Sequence, residues 1–343
     1  MTDQPKLGPV MVTFSPAWFK RYAGLDYSEA AWADPIERTE RGREAERCLH
    51  GRFADVQIGS DDPQPAPNIE AYGNYFMPAL FGCEMVFPLD QAPGFRALEG
   101  DFEHMRRLEV PDFETNPVIR KAFADAEVLK NRYGACSGSI CMGSPLNVAV
   151  NIYAEEFIMA CALEPETAQH VLRVIAETCF KLHREVCARI APAVFPVEDF
   201  GWGYGNCPAV MFSPKTYREV ILPVDLWVRS QVTTFGLHHC GVFDDYIDVY
   251  KELRVDGFDI GGGSNYKLAR EAFPGIPFSL IVNAPDIEGK SMSEIDSLVG
   301  GMVEGAGPIE QITLLWTGEV SENIEDDNVR ALRTSTERVE PGL

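Results

Sequence analysis

The chain is poor in positive charge and has no run of basic residues. Its 30 Lys and Arg residues are outnumbered by 52 Asp and Glu residues, so the formal net charge at pH 7 is −22. Nucleic acids and anionic membrane surfaces attract clustered Lys and Arg side chains. The sequence therefore predicts no nucleic-acid partner and no membrane partner.

Signals for secretion and membrane insertion are also missing. The first residues, MTDQPKLGPVMVTFS, show no charged segment followed by an apolar one, and no run of 18 apolar residues occurs. The nine cysteines are odd in number and include no C-x-x-C pair, which argues against a disulfide framework. We expect a soluble, cytoplasmic protein with reduced thiols.

From about residue 130 onward, short β-like runs alternate with segments of helical periodicity. The predicted strands are 132–141, 191–200, 233–240, 255–262, 276–284 and 311–318. The predicted helices are 164–190, 214–231, 243–254, 265–273, 290–305 and 325–337. Strands separated by helices pair in parallel, because each crossover between parallel strands needs a long connection.

The alternation predicts an α/β fold with eight strand–helix units. Residues 9–15, and either 53–59 or 74–80, supply two units before the six listed above. Eight units close a single (β/α)8 TIM barrel over residues 1–343. Residues 1–70 then form an N-terminal cap segment with the first barrel elements, and 16–50 form a helical extension.

Polar residues gather where the predicted strands end. They are Glu198, Asp199, Cys207, His238, His239, Cys240, Asp259, Asn283 and Glu319. Active sites of TIM barrels lie at the carboxyl ends of the strands, so this pattern favours an enzyme. The four other histidines, His50, His104, His170 and His183, are predicted to lie at the surface.

The stretch HHC at 238–240 is the candidate metal site. In an extended chain His238 and Cys240 point to one side and His239 to the other. Imidazole and thiolate are good Zn²⁺ ligands, and a catalytic zinc keeps one position open. Cys207 is the first candidate for a third ligand, and the oxygen alternatives are Glu198, Asp199 and Glu319. These three carboxylates are also the candidate catalytic residues. The competing interpretation is a packed strand end without a metal.

The order ED-FGWG, FSPKTYREVILP, HHCG, YKELRVDGFDIGG and FSLIVNAPDI resembles the uroporphyrinogen decarboxylase-like superfamily. It is most similar to the corrinoid-dependent methyltransferase branch, over about residues 10–335. The resemblance implies a TIM barrel in which His238 and Cys240 bind zinc. It also implies methyl transfer to or from a cobalamin carried by a separate corrinoid protein, and a homodimer.

The sequence departs from one part of this branch. Members that methylate coenzyme M carry a cysteine ligand near the last strand, whereas this chain has no cysteine after Cys240. The resemblance therefore favours a demethylating enzyme, which moves a methyl group from a small donor, such as an aryl methyl ether, to cob(I)alamin. Related demethylating members use carboxylate ligands, which would suit Glu198, Asp199 or Glu319.

The expected substrate pocket is aromatic. We expect Trp202, Tyr204 and Asn283 to line it, with Trp18 and Phe19 from the N-terminal segment.

Two alternatives stay open. A uroporphyrinogen decarboxylase would hold substrate carboxylates with arginines, for which Arg21 in KRYAGLDY is the one plausible residue. A non-catalytic barrel that binds a small ligand would need no metal-ligating residues.

Overall fold

The computed structural model describes residues 7–192 and 200–338. Its strands are β1 (Glu84–Val86), β2 (Gly94–Arg96), β3 (Gly201–Gly205), β4 (Thr234–His239), β5 (Gly257–Ile260), β6 (Phe278–Val282) and β7 (Ile312–Thr317). The helices of the N-terminal half are α1 (Pro16–Ala23), α2 (Glu29–Ala33), α3 (Pro35–Phe53), α4 (Phe76–Leu80), α5 (Phe102–Arg106), α6 (Pro117–Tyr133), α7 (Pro145–Tyr153), α8 (Glu155–Leu163) and α9 (Pro165–Leu182).

The remaining helices alternate with the strands of the main sheet. They are α10 (Ala188–Ile190), α11 (Pro214–Thr216), α12 (Leu222–Arg229), α13 (Ile247–Leu253), α14 (Tyr266–Ala272), α15 (Met292–Ala306), α16 (Asp326–Arg333) and α17 (Ser335–Arg338). Two π-helical turns, His183–Cys187 and Tyr217–Ile221, join α9 to α10 and α11 to α12.

Local sequence sets where many helices begin. Helices α1, α3, α6, α7 and α11 each start with proline, after Ser15, Asp34, Asn116, Ser144 and Ser213. Each of these cap side chains accepts a hydrogen bond from a free backbone N–H of the first turn. Proline suits the first position because its missing N–H would have no helical partner there.

The main sheet is parallel and forms part of a TIM barrel. Strands β3 to β7 are hydrogen-bonded in sequence order. On the β7 edge, Met11 forms a parallel bridge with Trp316, and the Met11 N–H donates to Leu315 O at 2.8 Å. Asn68 and Ser137 form a further parallel bridge. The segments around Met11, Asn68 and Ser137 occupy the positions expected for the first three strands of the barrel.

Four predicted strands are confirmed as β4 to β7, within two residues at each end. Most of the predicted strand 191–200 lies outside the described residues, and the strand that the structure shows next is Gly201–Gly205, which was not predicted. Glycine has a low strand propensity, so the hydrophobic pattern does not reveal β3. Residues 54–56 form a 3-10 turn and 76–80 form α4, so neither predicted second strand exists.

The N-terminal helices pack outside the barrel. Trp18 is fully buried against Phe14, at a ring-centroid distance of 4.6 Å, and against Phe53 of α3. Phe19 contacts the same Trp18 ring. These aromatic residues anchor the extension and do not line the central cavity, contrary to our expectation for Trp18 and Phe19.

Within the described ranges, no single helix is both long and apolar enough to cross a bilayer. The pair α7 and α8, bent by 114° at their junction, has the combined length and composition.

Candidate metal centre

Three side chains with metal-ligating atoms meet at the carboxyl ends of β3 and β4. Cys207 opens a 3-10 turn directly after β3, and His238 and Cys240 lie at the end of β4. Parallel pairing places Gly205 opposite His238, and the Asn206 N–H donates to His238 O at 2.9 Å. This register brings the Cys207 side chain beside the other two.

The ligand atoms of Cys207, His238 and Cys240 all lie within 4.8 Å of one another. His238 Nε2 is 2.9 Å from Cys240 Sγ, and Cys240 Sγ is 3.2 Å from Cys207 Sγ. All three residues are half-buried. Two thiols and an imidazole at this spacing could hold a metal ion.

The electrostatics of the cluster favour one thiolate. A hydrogen bond from Cys240 lowers the pKa of Cys207, against the opposite effect of burial, and His238 lowers it further. The same hydrogen bond, together with burial, raises the pKa of Cys240. Negative charge therefore concentrates on Cys207, and a thiolate is the form of cysteine that binds metals.

Asp259 holds the other side of the His238 ring. His238 Nδ1 is 2.6 Å from Asp259 Oδ2, and Trp316 Nε1 donates to Asp259 Oδ1 at 2.8 Å. Burial alone lowers the pKa of His238, but the bonds to Asp259 and Cys207 outweigh it and raise that pKa to about 9. A carboxylate on the far nitrogen fixes the ring orientation and makes the near nitrogen a better ligand.

His239 lies on the opposite face of β4 in a closed polar network. Its Nδ1 is 2.7 Å from the Tyr250 hydroxyl, and burial lowers its pKa to about 4. Asn206 Nδ2 donates to Tyr217 Oη at 2.6 Å, and Tyr217 donates to Asp225. Asn206 Nδ2 also donates to Tyr250 Oη at 3.4 Å, so Asn206 and His239, the residues next in sequence to Cys207 and His238, share one hydrogen-bonded network behind the cluster.

The cluster borders a cavity of about 1140 Å³ that runs into the barrel. Its glycines are Gly143, Gly201, Gly203, Gly205, Gly236 and Gly257. Asn74, Asn147 and Asn151 supply neutral amide groups. Among the described residues that border it, none is Lys or Arg.

The structure separates the predicted site residues into two groups. Cys207, His238 and Cys240 come together, as their positions after neighbouring strands suggested. Glu319 is exposed and belongs neither to this cluster nor to the cavity lining. Glu198 and Asp199 lie outside the described residues.

Of the four residues predicted to bind substrate, Arg21 and Asn283 need correction. Arg21 is exposed and contacts Glu322 O, while Asn283 Nδ2 donates to Asp286 at 3.0 Å, and neither borders the cavity. Trp202 and Tyr204 do border it, but their side chains are buried. The Trp202 ring packs on Phe180 and the Tyr204 hydroxyl donates to Asp225.

Sequence reasoning missed three residues at this site. Asp259 was placed at a strand end without a role, and Trp316 was not singled out. Asp259 lies in β5, which pairs with β4, and Trp316 lies in β7, three strands away from β4; the available signal was a polar side chain near the end of each of these apolar strands. His183, predicted at the surface, is buried, borders the cavity and stacks on Phe200 with centroids 4.0 Å apart. Its apolar helical surroundings, with Cys179, Leu182 and Val186 at helical spacing, were the available signal.

Comparisons with known proteins agree with this architecture. A family model described as uroporphyrinogen decarboxylase (URO-D) matches residues 73–282. No curated protein gave a significant match. Among solved structures, a methyltransferase from Methanosarcina mazei superposes with a TM-score of 0.64 at 16% identity, over 98% of this chain and 95% of that one. At this identity the likeness shows a shared fold.

Proposed function

Because the chain belongs to the uroporphyrinogen decarboxylase (URO-D) family, we propose that it is a zinc-dependent methyltransferase of that family. The methyl group passes from a small methylated donor, such as an aryl methyl ether, to the cob(I)alamin of a corrinoid protein. One observation carries the proposal. Cys207, His238 and Cys240 converge above a large cavity at the carboxyl ends of the strands.

The donor set suits zinc. Catalytic zinc sites use three protein ligands and leave one position for water or substrate, and Cys₂His is one of the known sets. Thiolates and imidazole favour zinc over the hard cations Mg²⁺ and Ca²⁺, which prefer oxygen. Asp259, bonded to His238 Nδ1, completes the arrangement usual for a metal-ligating histidine.

The proposed reaction balances as a methyl transfer. The methyl carbon forms a bond to the two-electron nucleophile, cob(I)alamin, as its bond to the donor oxygen breaks. The electron pair of that bond stays on the oxygen, which takes up one proton. A bound zinc ion supplies Lewis acidity, which stabilises negative charge developing on the oxygen.

The chain's own residues orient the partners of the reaction. Asp259 and Trp316 hold the His238 ring, and the cavity beneath the cluster receives the donor. The solved methyltransferase with this fold supports the reaction class. The shortage of positive charge suits a small uncharged donor.

The two alternatives have less support. A decarboxylase acting on a porphyrin with many carboxylates needs cationic side chains, but the described cavity lining has no Lys or Arg and Arg21 lies elsewhere. A non-catalytic barrel gives no reason for two thiols and an imidazole to meet at one point.

The proposal extends to partners and location. A corrinoid protein presents its cobalamin at the open end of the cavity, and the chain pairs as a homodimer. We place the protein in the cytoplasm, where its nine cysteines, all free in the structure, would stay reduced.

The test is the zinc content of purified protein. We expect about one zinc per chain in the wild type, bound by the three-ligand cluster, and its loss in Cys207→Ala and Cys240→Ala. Cys48→Ala is the matched control, since Cys48 is also half-buried but lies on α3. Zinc-loaded wild type should then demethylate methoxybenzenes with cob(I)alamin as acceptor, followed by the cobalamin absorbance. A folded wild type that takes up no zinc would overturn the proposal.

A further inference from the structure

Three glycines form a bare row across the inside of the barrel. Parallel pairing places Gly203 opposite Gly236, and Gly236 opposite Gly257, on neighbouring strands. The next row toward the carboxyl ends pairs Gly205 with His238 and His238 with Asp259. Since residues two apart in a strand are separated by about 7 Å, the bare row lies one layer below the metal cluster.

Neither backbone conformation nor packing requires glycine in this row. None of the three has a positive φ angle. A Cβ atom added at Gly203 or Gly236 would meet nothing within 4 Å, and one at Gly257 would only contact Pro277 at 3.6 Å. Glycine in a strand costs stability, because its backbone is freer in the unfolded chain and it packs no side chain.

The usual TIM barrel fills this layer. Inward-facing side chains, mostly Val, Ile and Leu, pack the interior in layers. Here the three adjacent strands contribute none, and Gly203 is exposed although it lies inside the barrel. A glycine wall exposes flat peptide backbone, on which a planar group can lie. The absence of side chains in this layer leaves space for a bound ligand.

Apart from the candidate metal site, the described walls of this space carry no cationic side chain. None of the described residues that line it is Lys or Arg, and residues 193–199, outside the described ranges, include neither in sequence. His238 is bonded on both ring nitrogens, to Asp259 and Cys240, and the His183 ring is stacked on Phe200. A carboxylate on the side of the ring that faces away from Cys207, His238 and Cys240 would meet no Lys or Arg among the described lining residues.

Neutral hydrogen-bonding groups face the row instead. Asn147 and Asn151 of α7 border the cavity, and Asn147 Nδ2 lies 3.8 Å from the position of a Cβ at Gly205. Amide groups can donate to and accept from phenol, ether and amide groups of a neutral ligand.

We propose that the row Gly203–Gly236–Gly257 is the seat for the flat ring of an uncharged methyl donor, with its methoxy group directed toward Cys207, His238 and Cys240. This inference rests on the proposed function for the role of the ligand, but the seat itself is tested by binding alone. The site selects against ring-borne carboxylates, because burying an unpaired anion is costly.

The test compares two probes of matched shape on zinc-supplemented protein without any corrinoid. 4-Methoxybenzamide and 4-methoxybenzoate have the same number of heavy atoms and differ in charge. We expect calorimetry to give at least about tenfold tighter binding of the amide. Equal binding of both probes, or tighter binding of the benzoate, would overturn the proposal.

Substitutions in the glycine row test whether the ligand binds there. Gly236→Val should weaken binding of 4-methoxybenzamide by at least about tenfold, and Gly236→Ala by less, because each side chain fills space that the ring needs. Gly318→Val is the matched control, since a Cβ there also meets nothing within 4 Å and Gly318 does not border the cavity. The thermal midpoint and circular dichroism show whether each variant is folded.

The result separates the two proposals. Unchanged affinity in folded Gly236→Val, or no binding of the amide to wild type, refutes the glycine seat whatever the zinc content. Absence of zinc refutes the metal-dependent function whatever the binding result.

Discussion

His238 and His239 are neighbours in the chain but lie in opposite environments. His238 faces the cavity, contacts Cys240 and Asp259, and has its pKa raised to about 9. His239 faces the outer layer, contacts Tyr250, and burial lowers its pKa to about 4. Because side chains alternate along a strand, the two rings lie on opposite sides of β4. A shift of one residue would exchange their environments, so the register decides which histidine faces the candidate metal site and which one has a structural role.

The largest expected difference between the two histidines is in metal binding. His238→Ala should abolish zinc retention after dialysis, because it removes one of three ligands. His239→Ala should retain zinc but lose about 1–3 kcal/mol of stability, since the Tyr250 hydroxyl and Val242 carbonyl lose their buried partner. Zinc analysis and urea unfolding of both variants measure this. Zinc lost from a folded His239→Ala, with zinc kept by His238→Ala, would reverse the assignment.

A smaller effect is expected from the carboxylate behind His238. Asp259→Asn should weaken zinc affinity by about 10- to 100-fold, because the amide no longer accepts the Nδ1 proton as strongly. Competition with a chromophoric chelator gives the affinity. Asp256→Asn is the control, since Asp256 directly precedes the same strand and is paired with Arg229. An unchanged affinity would remove Asp259 from the metal site.

The sequence predicted the barrel better where strands are apolar than where they are not. Strands β4 to β7 were predicted because apolar runs mark buried parallel strands. Strand β3 was missed because three of its five residues are glycine. The bridges at Asn68 and Ser137 involve single residue pairs, too short for any periodicity.

The candidate site was predictable in part for a similar reason. Alternation along one strand placed His238 with Cys240, and adjacency of parallel strands brought in Cys207. The bond between His238 and Asp259 depends on the register of β4 against β5. The contact between Trp316 and Asp259 depends on how β7 is placed relative to β5. Neither arrangement can be predicted from the local sequence. The predictions for Arg21 and Asn283 were wrong because the packing of α1 and the direction of the turn after β6 are set by tertiary contacts.

The last effect concerns the network on the His239 side and depends on pH. Burial raises the pKa of Asp225 to about 7, although the hydroxyls of Tyr204 and Tyr217 that it accepts lower it. The folded state therefore keeps the proton that the unfolded state releases near pH 4. Stability from this group is complete below about pH 4 and is lost as pH rises through 7, by at most about 1.4 kcal/mol per pH unit.

Asp225→Asn removes this dependence, because an amide does not titrate. With metal removed by chelator, the free energy of unfolding of the variant minus that of wild type should rise between pH 5 and pH 7 and then level off. Urea unfolding at pH 5, 6, 7 and 8 measures the difference, and titrations common to both proteins cancel. A difference that is constant over this range would mean that Asp225 is ionised in the folded protein throughout. The network behind His239 would then hold a charge, as the cavity side does.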